Sequence, residues 1–124
     1  MFEALAVALG GALGSLGRWQ LGVLFKQWIP NLPVGTFAAN VVAGLIIGFV
    51  TGLDLASPLQ PQVKLFLAVG LCGGLSTFST FSNETLTFIQ AGNWTAAGMN
   101  IAVNVITCLV AVFIGLKLSN IVTV

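Results

Sequence analysis

Histidine and tyrosine do not occur in this chain, and charge is nearly absent: Glu3, Arg18, Lys26, Asp54, Lys64, Glu84 and Lys117 are its only charged side chains. With no imidazole and three scattered carboxylates, there is almost no acid–base or nucleophilic equipment, and the chain reads as something other than an enzyme. Cysteine is scarce too. Cys72 and Cys108 sit in apolar runs without CxxC or Cys/His spacing, so they read as small buried hydrophobes rather than metal ligands or a disulfide. Nothing resembles a nucleotide-binding loop or a basic nucleic-acid patch, and no nucleic-acid partner is expected.

What is present is apolar. Of 124 residues, 57% are hydrophobic and 6% charged, and the mean hydropathy is +1.06. Such a composition lies outside soluble usage and predicts an integral, all-α membrane protein. Four stretches are long enough to cross a hydrocarbon core about 30 Å thick as helices: residues 5–25, 35–53, 64–88 and 94–118. They form a single transmembrane domain over residues 1–124. The connectors "KQWIPNLPV", "DLASPLQPQV" and "QAGN" carry turn residues. The N-terminus has Glu3 and no basic residue ahead of a span-length apolar run, which predicts a retained helix rather than a signal peptide.

The cations divide evenly. Lys64 and Lys117 fall on the side of the N-terminus, and Lys26 with Arg18 toward the other. Without a positive-inside bias the chain has no preferred orientation. Insertion both ways, with pairing into an antiparallel homodimer, is one consequence; snorkelling of a single residue that breaks the tie is the other. Four helices alone make a thin bundle, and oligomerisation would supply an interior for a pathway.

Small and polar residues recur at helical spacing. In the first span Gly10, Gly14, Arg18 and Gly22 are four apart, as are Asn40, Gly44, Gly48 and Gly52 in the second. Glycines at this interval let helices approach closely in lipid. Asn40 is either interhelical glue or an amide donor to an anion. Arg18, within a span, must snorkel, pair or line a watery cavity. The third span contains "GLCGGLSTFSTFSNE". Its glycines and adjacent hydroxyls predict a break near residues 73–77, although an unbroken, tightly packed glycine face fits the glycines equally well. Beyond it Phe78 and Phe81 recur at three, as do Thr77 and Thr80, and Ser76, Ser79 and Ser82. The fourth span adds Asn100, Asn104 and Cys108 at spacing four, with Thr107 nearby.

Together these groups make a polar path through an apolar wall. Amide and hydroxyl hydrogens and phenyl edges present positive dipole ends. A cation path would carry carboxylate rings or stacked carbonyls instead, so the path suits a small anion, with water or a small polar solute chemically compatible.

The segments "GGALGSLGRW", "GTFAANVVAG" and above all "GLCGGLSTFSTFSNE" closely resemble the Fluc family of small fluoride ion channels, whose length and four-span plan agree. The resemblance implies a dual-topology antiparallel homodimer in the bacterial cytoplasmic (inner) membrane, with two pores that let fluoride leave the cell passively. It also implies a sodium ion at the dimer centre, held by the backbone carbonyls of Gly73 and Ser76. Many members have Thr in place of Ser76, a change that a backbone ligand tolerates. Phe78 and Phe81 would turn ring edges to fluoride and Asn40 would donate to it. Thr80 and Ser79 extend the hydroxyl track. Asn100 and Asn104, where many members have Tyr and Ser, are track candidates. Arg18 and Glu84 match pore-mouth positions. The competing classes are a small dual-topology multidrug transporter, which needs a membrane-embedded glutamate in helix 1 that this chain lacks, and an accessory membrane subunit, which leaves the Phe, Ser and Thr pattern unexplained.

Overall fold

A computed structural model describes all 124 residues, and the chain is entirely helical. Helix α1 spans Phe2–Trp28 and α2 spans Val34–Ala56. A third rod begins with α3, Pro61–Lys64, whose proline sits at the start, where its missing N–H costs nothing. It continues as a π-helical segment, Leu65–Cys72, and ends in one further turn, α4, Gly73–Leu75. After Ser76 and Thr77, α5 spans Phe78–Gln90 and α6 spans Trp94–Val122. Gly92, at φ +75°, closes α5: its neighbour Asn93 donates from its backbone to the Phe88 carbonyl, and the Asn93 side chain then accepts from Ala96 N–H to cap α6.

Length and composition mark three segments as able to cross a membrane: Val34–Ala56, Pro61–Gln90 and Trp94–Val122. Helix α1 is equally long at 27 residues, but Arg18, Gln20 and five glycines dilute its apolar character. The surface matches a lipid solvent. Only 18 of 124 residues are buried, and those of the core are mostly small, such as Ala39, Ala43, Ala97 and Ala111. Large apolar side chains including Leu9, Leu13, Leu109 and Phe113 face outward.

Two glycine seams hold the rods together. A side chain on Gly10 or Gly14 would strike the backbone carbonyls of Phe66 or Leu71, and Gly70 and Gly74 press reciprocally on α1. In the second seam Gly48 of α2 lies against the Val112 carbonyl of α6, and Gly115 against that of Leu45. Where lipid offers no hydrophobic drive for helices to associate, such backbone approach supplies the packing energy. At one end of the bundle Lys64 pairs with Asp54 at 2.5 Å, and Asp54 also accepts from the Leu59 N–H at 3.0 Å. The Pro30–Pro33 turn, Lys26 and Glu84 gather at the opposite end.

Candidate functional site

Ser76 and Thr77 have extended backbones (φ −79°, ψ 152° and φ −148°, ψ 116°) between α4 and α5. Hydrogen bonds that a continuous helix would make here are replaced by side chains. The Thr77 N–H, whose helical acceptor would be the Gly73 carbonyl, donates to Asn40 Oδ1 at 2.8 Å. The Thr80 N–H, whose helical acceptor would be the Ser76 carbonyl, donates to Thr77 Oγ1 at 3.2 Å, an N-cap of α5. The carbonyls of Gly73 and Ser76 therefore lack their helical donors. The Gly74 carbonyl receives Arg18 Nε at 3.0 Å, and Ser76 bonds back to the Cys72 carbonyl through both N–H and Oγ. Helices α1 and α2 thus each insert one side chain to satisfy the interruption, as buried backbone in a membrane requires.

These choices fix what remains free. Because Asn40 Oδ1 faces a backbone N–H, its orientation is determined, and Nδ2 bonds to nothing within the chain. That amide lines a cavity of about 470 Å³ with Gly73, Ser76, Phe78, Phe81 and Asn104, and with both cysteines, Cys72 and Cys108. No carboxylate or ammonium lines it. The Phe78 and Phe81 rings lie 5.6 Å apart and tilted by 49°. Phe81 is buried, whereas Phe78 is 79% exposed on the open side of the cavity. Gly73 is exposed with nothing within 4 Å of where its side chain would be.

Most other sequence-predicted residues line neighbouring spaces, and Asn104 lines both this cavity and one of those. Thr80 and Arg18 line a neighbouring space of about 320 Å³ with Lys26, Thr36 and Thr77. Thr80 Oγ1 accepts from Thr77 Oγ1 at 3.1 Å, so its own proton is free. Ser79 is exposed, bonded to Thr77 Oγ1 at 3.2 Å, and lines no cavity. Glu84 lines a third space, near Lys26 but not paired with it. Its Oε1 accepts from Thr36 Oγ1 at 2.6 Å, while its buried Oε2 has no partner. Asn100 and Asn104 line a more apolar space of about 330 Å³. Asn104 Nδ2 donates to both the Asn100 carbonyl and Asn100 Oδ1, so its hydrogens are engaged, and its buried Oδ1 is unpartnered.

Two site residues escaped the sequence reading. Thr36 holds Glu84, and its position four residues before Asn40, on the same helical face, was the available signal. Thr85, four beyond Phe81, bonds its carbonyl.

An all-helical chain with three membrane-crossing segments and a charge-free cavity at a backbone interruption defines a multi-pass membrane protein whose site is suited to a small solute or ion. Comparison with known sequences makes the assignment specific: residues 5–116 match the profile described as CrcB-like protein, Camphor Resistance (CrcB), and the chain belongs to that family. It is 46% identical over 106 residues to a fluoride-specific ion channel FluC of Pectobacterium carotovorum subsp. carotovorum (strain PC1), covering 84% of each chain. To proteins of the same name it is 42% identical over 115 residues in Acinetobacter baumannii (strain ATCC 17978), covering 93% of this chain and 91% of the relative. The figure is 45% over 120 residues in Paraburkholderia phymatum, covering 96% and 95%.

Proposed function

We propose that this protein is a fluoride-selective channel that passively exports fluoride across the bacterial cytoplasmic membrane, with four spans including α1 and an antiparallel, dual-topology homodimer as the working unit. The observation that carries the reading is the free Asn40 amide, oriented by Thr77 N–H, in one uncharged cavity with Phe78 and Phe81. Fluoride must shed water to enter so apolar a space. Amide and hydroxyl hydrogens and ring edges substitute for that water without a fixed cation that would hold the ion too tightly. In the neighbouring space Arg18 and Lys26 draw anions toward the Thr80 hydroxyl. A narrow path lined by firm donors disfavours larger chloride.

The exposed faces around Gly73 and Phe78 favour a second copy of the chain, which would complete two pores. The donor set also fits a central sodium ion. The carbonyls of Gly73 and Ser76 have lost their helical donors and are available as hard oxygen ligands, whereas no cluster of acidic, His or Cys side chains suited to another metal exists in the chain. Bound there, sodium would supply positive charge that ties two copies together.

The direct cellular test is expression in a bacterium that lacks its own fluoride exporter. Restored growth in fluoride medium, with intracellular fluoride falling to the level set by the external concentration, supports the reading. Continued sensitivity despite membrane expression contradicts it.

A further inference from the structure

Asn104 lines the cavity and Asn100 an adjoining apolar space, yet both hydrogens of Asn104 and one of Asn100 point elsewhere. From Asn104 Nδ2 a bond runs to Asn100 Oδ1 at 3.0 Å, from Asn100 Nδ2 to Thr85 Oγ1 at 3.0 Å, and from Thr85 Oγ1 to the Phe81 carbonyl at 2.8 Å. The second hydrogen of Asn104 goes to the Asn100 carbonyl at 2.8 Å, which fixes that amide's orientation. The chain therefore has one direction, from α6 into the turn of α5 that bears Phe81. Asn104 and Thr85 are 6% and 7% exposed, and Thr85 lines no cavity.

We infer that Asn104, Asn100 and Thr85 form a positioning device that holds the Phe81 turn against α6, and that Asn104 serves the orientation of the ring rather than donating to the anion. Three features carry this. The only atom Asn104 leaves unpartnered is an acceptor, Oδ1, which repels an anion and takes a donor such as water. Helix α5 packs mainly against α6, so few other ties fix it. A hydroxyl that accepts from a neighbouring helix while donating to its own i−4 carbonyl is locked in one rotamer, and polarisation along the chain strengthens each bond.

The inference rests on the fluoride-channel reading for its functional consequence, but its geometry is testable without flux. Thr85→Val keeps the side-chain shape and removes the hydroxyl; Thr85→Ser keeps the hydroxyl. With 4-fluorophenylalanine installed in place of Phe81, the ¹⁹F resonance of the detergent-solubilised protein is expected to shift and broaden in Thr85→Val and return to its position in Thr85→Ser. In liposomes that show fluoride efflux with the unaltered chain, Thr85→Val is expected to slow efflux about fivefold, the effect of one lost neutral hydrogen bond, with Thr85→Ser close to normal. A resonance and efflux unmoved by Thr85→Val, or a Thr85→Ser protein as impaired as Thr85→Val, overturns the inference. Absence of efflux from the unaltered protein contradicts the channel reading instead and leaves the ¹⁹F comparison to decide the positioning role.

Discussion

Asn40 Oδ1 accepts the backbone N–H of Thr77 at 2.8 Å, across 37 residues of sequence. One side of the amide mends an interrupted backbone, and the other is thereby aimed into the cavity. Structural and functional roles of Asn40 are therefore separable by substitution. Asn40→Asp retains the acceptor but replaces the donor with negative charge. We predict a folded protein whose fluoride efflux is at least about tenfold slower, given that a hydrogen bond to a charged group is worth about 1.5–3 kcal/mol. Asn40→Ala loses the acceptor as well, and its thermal midpoint in detergent should fall below that of Asn40→Asp, because the Thr77 N–H is left unpaired.

The two residues of the extended pair should behave oppositely. Thr77→Val removes the cap of α5 and the partner of the Thr80 N–H, with an expected cost of about 1 kcal/mol in unfolding free energy. Ser76→Ala loses only a bond back to the Cys72 carbonyl. If the Ser76 backbone oxygen is the sodium ligand, Ser76→Ala retains near-normal efflux and dimer formation. Loss of the dimer in Ser76→Ala contradicts that assignment.

The phenylalanines differ in burial and so should differ in what they lose. Phe81→Ile creates a packing defect at a buried position and removes a ring edge, so both stability and fluoride efflux should drop. Phe78→Ile alters a side chain 79% exposed in the single chain. Its monomer stability should be unchanged while efflux falls. Normal fluoride flux in Phe81→Ile is incompatible with an edge-lined pore.

Glycine positions give a stability test independent of transport. Gly48→Val drives its side chain into the Val112 carbonyl and should prevent helix α2 from seating on α6. Gly98, on α6, has nothing within 4 Å of where its side chain would be. Gly98→Ala should be neutral or raise stability by up to about 1 kcal/mol through helix propensity. Detergent thermal melts followed by size-exclusion monodispersity distinguish the two.

Much of the helical framework was legible because apolar runs of span length leave few alternatives in lipid. The spacing of Gly10 and Gly14, and of Gly44, Gly48 and Gly52, read as packing surface, and both sets lie in close seams. The π-helical register of Leu65–Cys72 was not legible, because so uniformly apolar a run carries no periodic trace of it. Nor was the partner of Arg18, the Gly74 carbonyl of a distant segment. Among the site residues, spacing and the family resemblance pointed to Asn40, Gly73, Ser76, Phe78, Phe81 and Asn104, and one cavity gathers them. Sequence offered donors without directions. The folded structure distinguishes Asn40, with an amide left free, from Asn104, whose hydrogens are both engaged.

Selective anion passage is decided by fluoride efflux measured beside chloride efflux. Purified protein is reconstituted into liposomes loaded with potassium fluoride or potassium chloride, valinomycin is added to dissipate charge, and an ion-selective electrode follows release. A fluoride-selective channel releases fluoride rapidly and retains chloride. Equal release of both ions, or release of neither from dimeric, folded protein, contradicts selective passage.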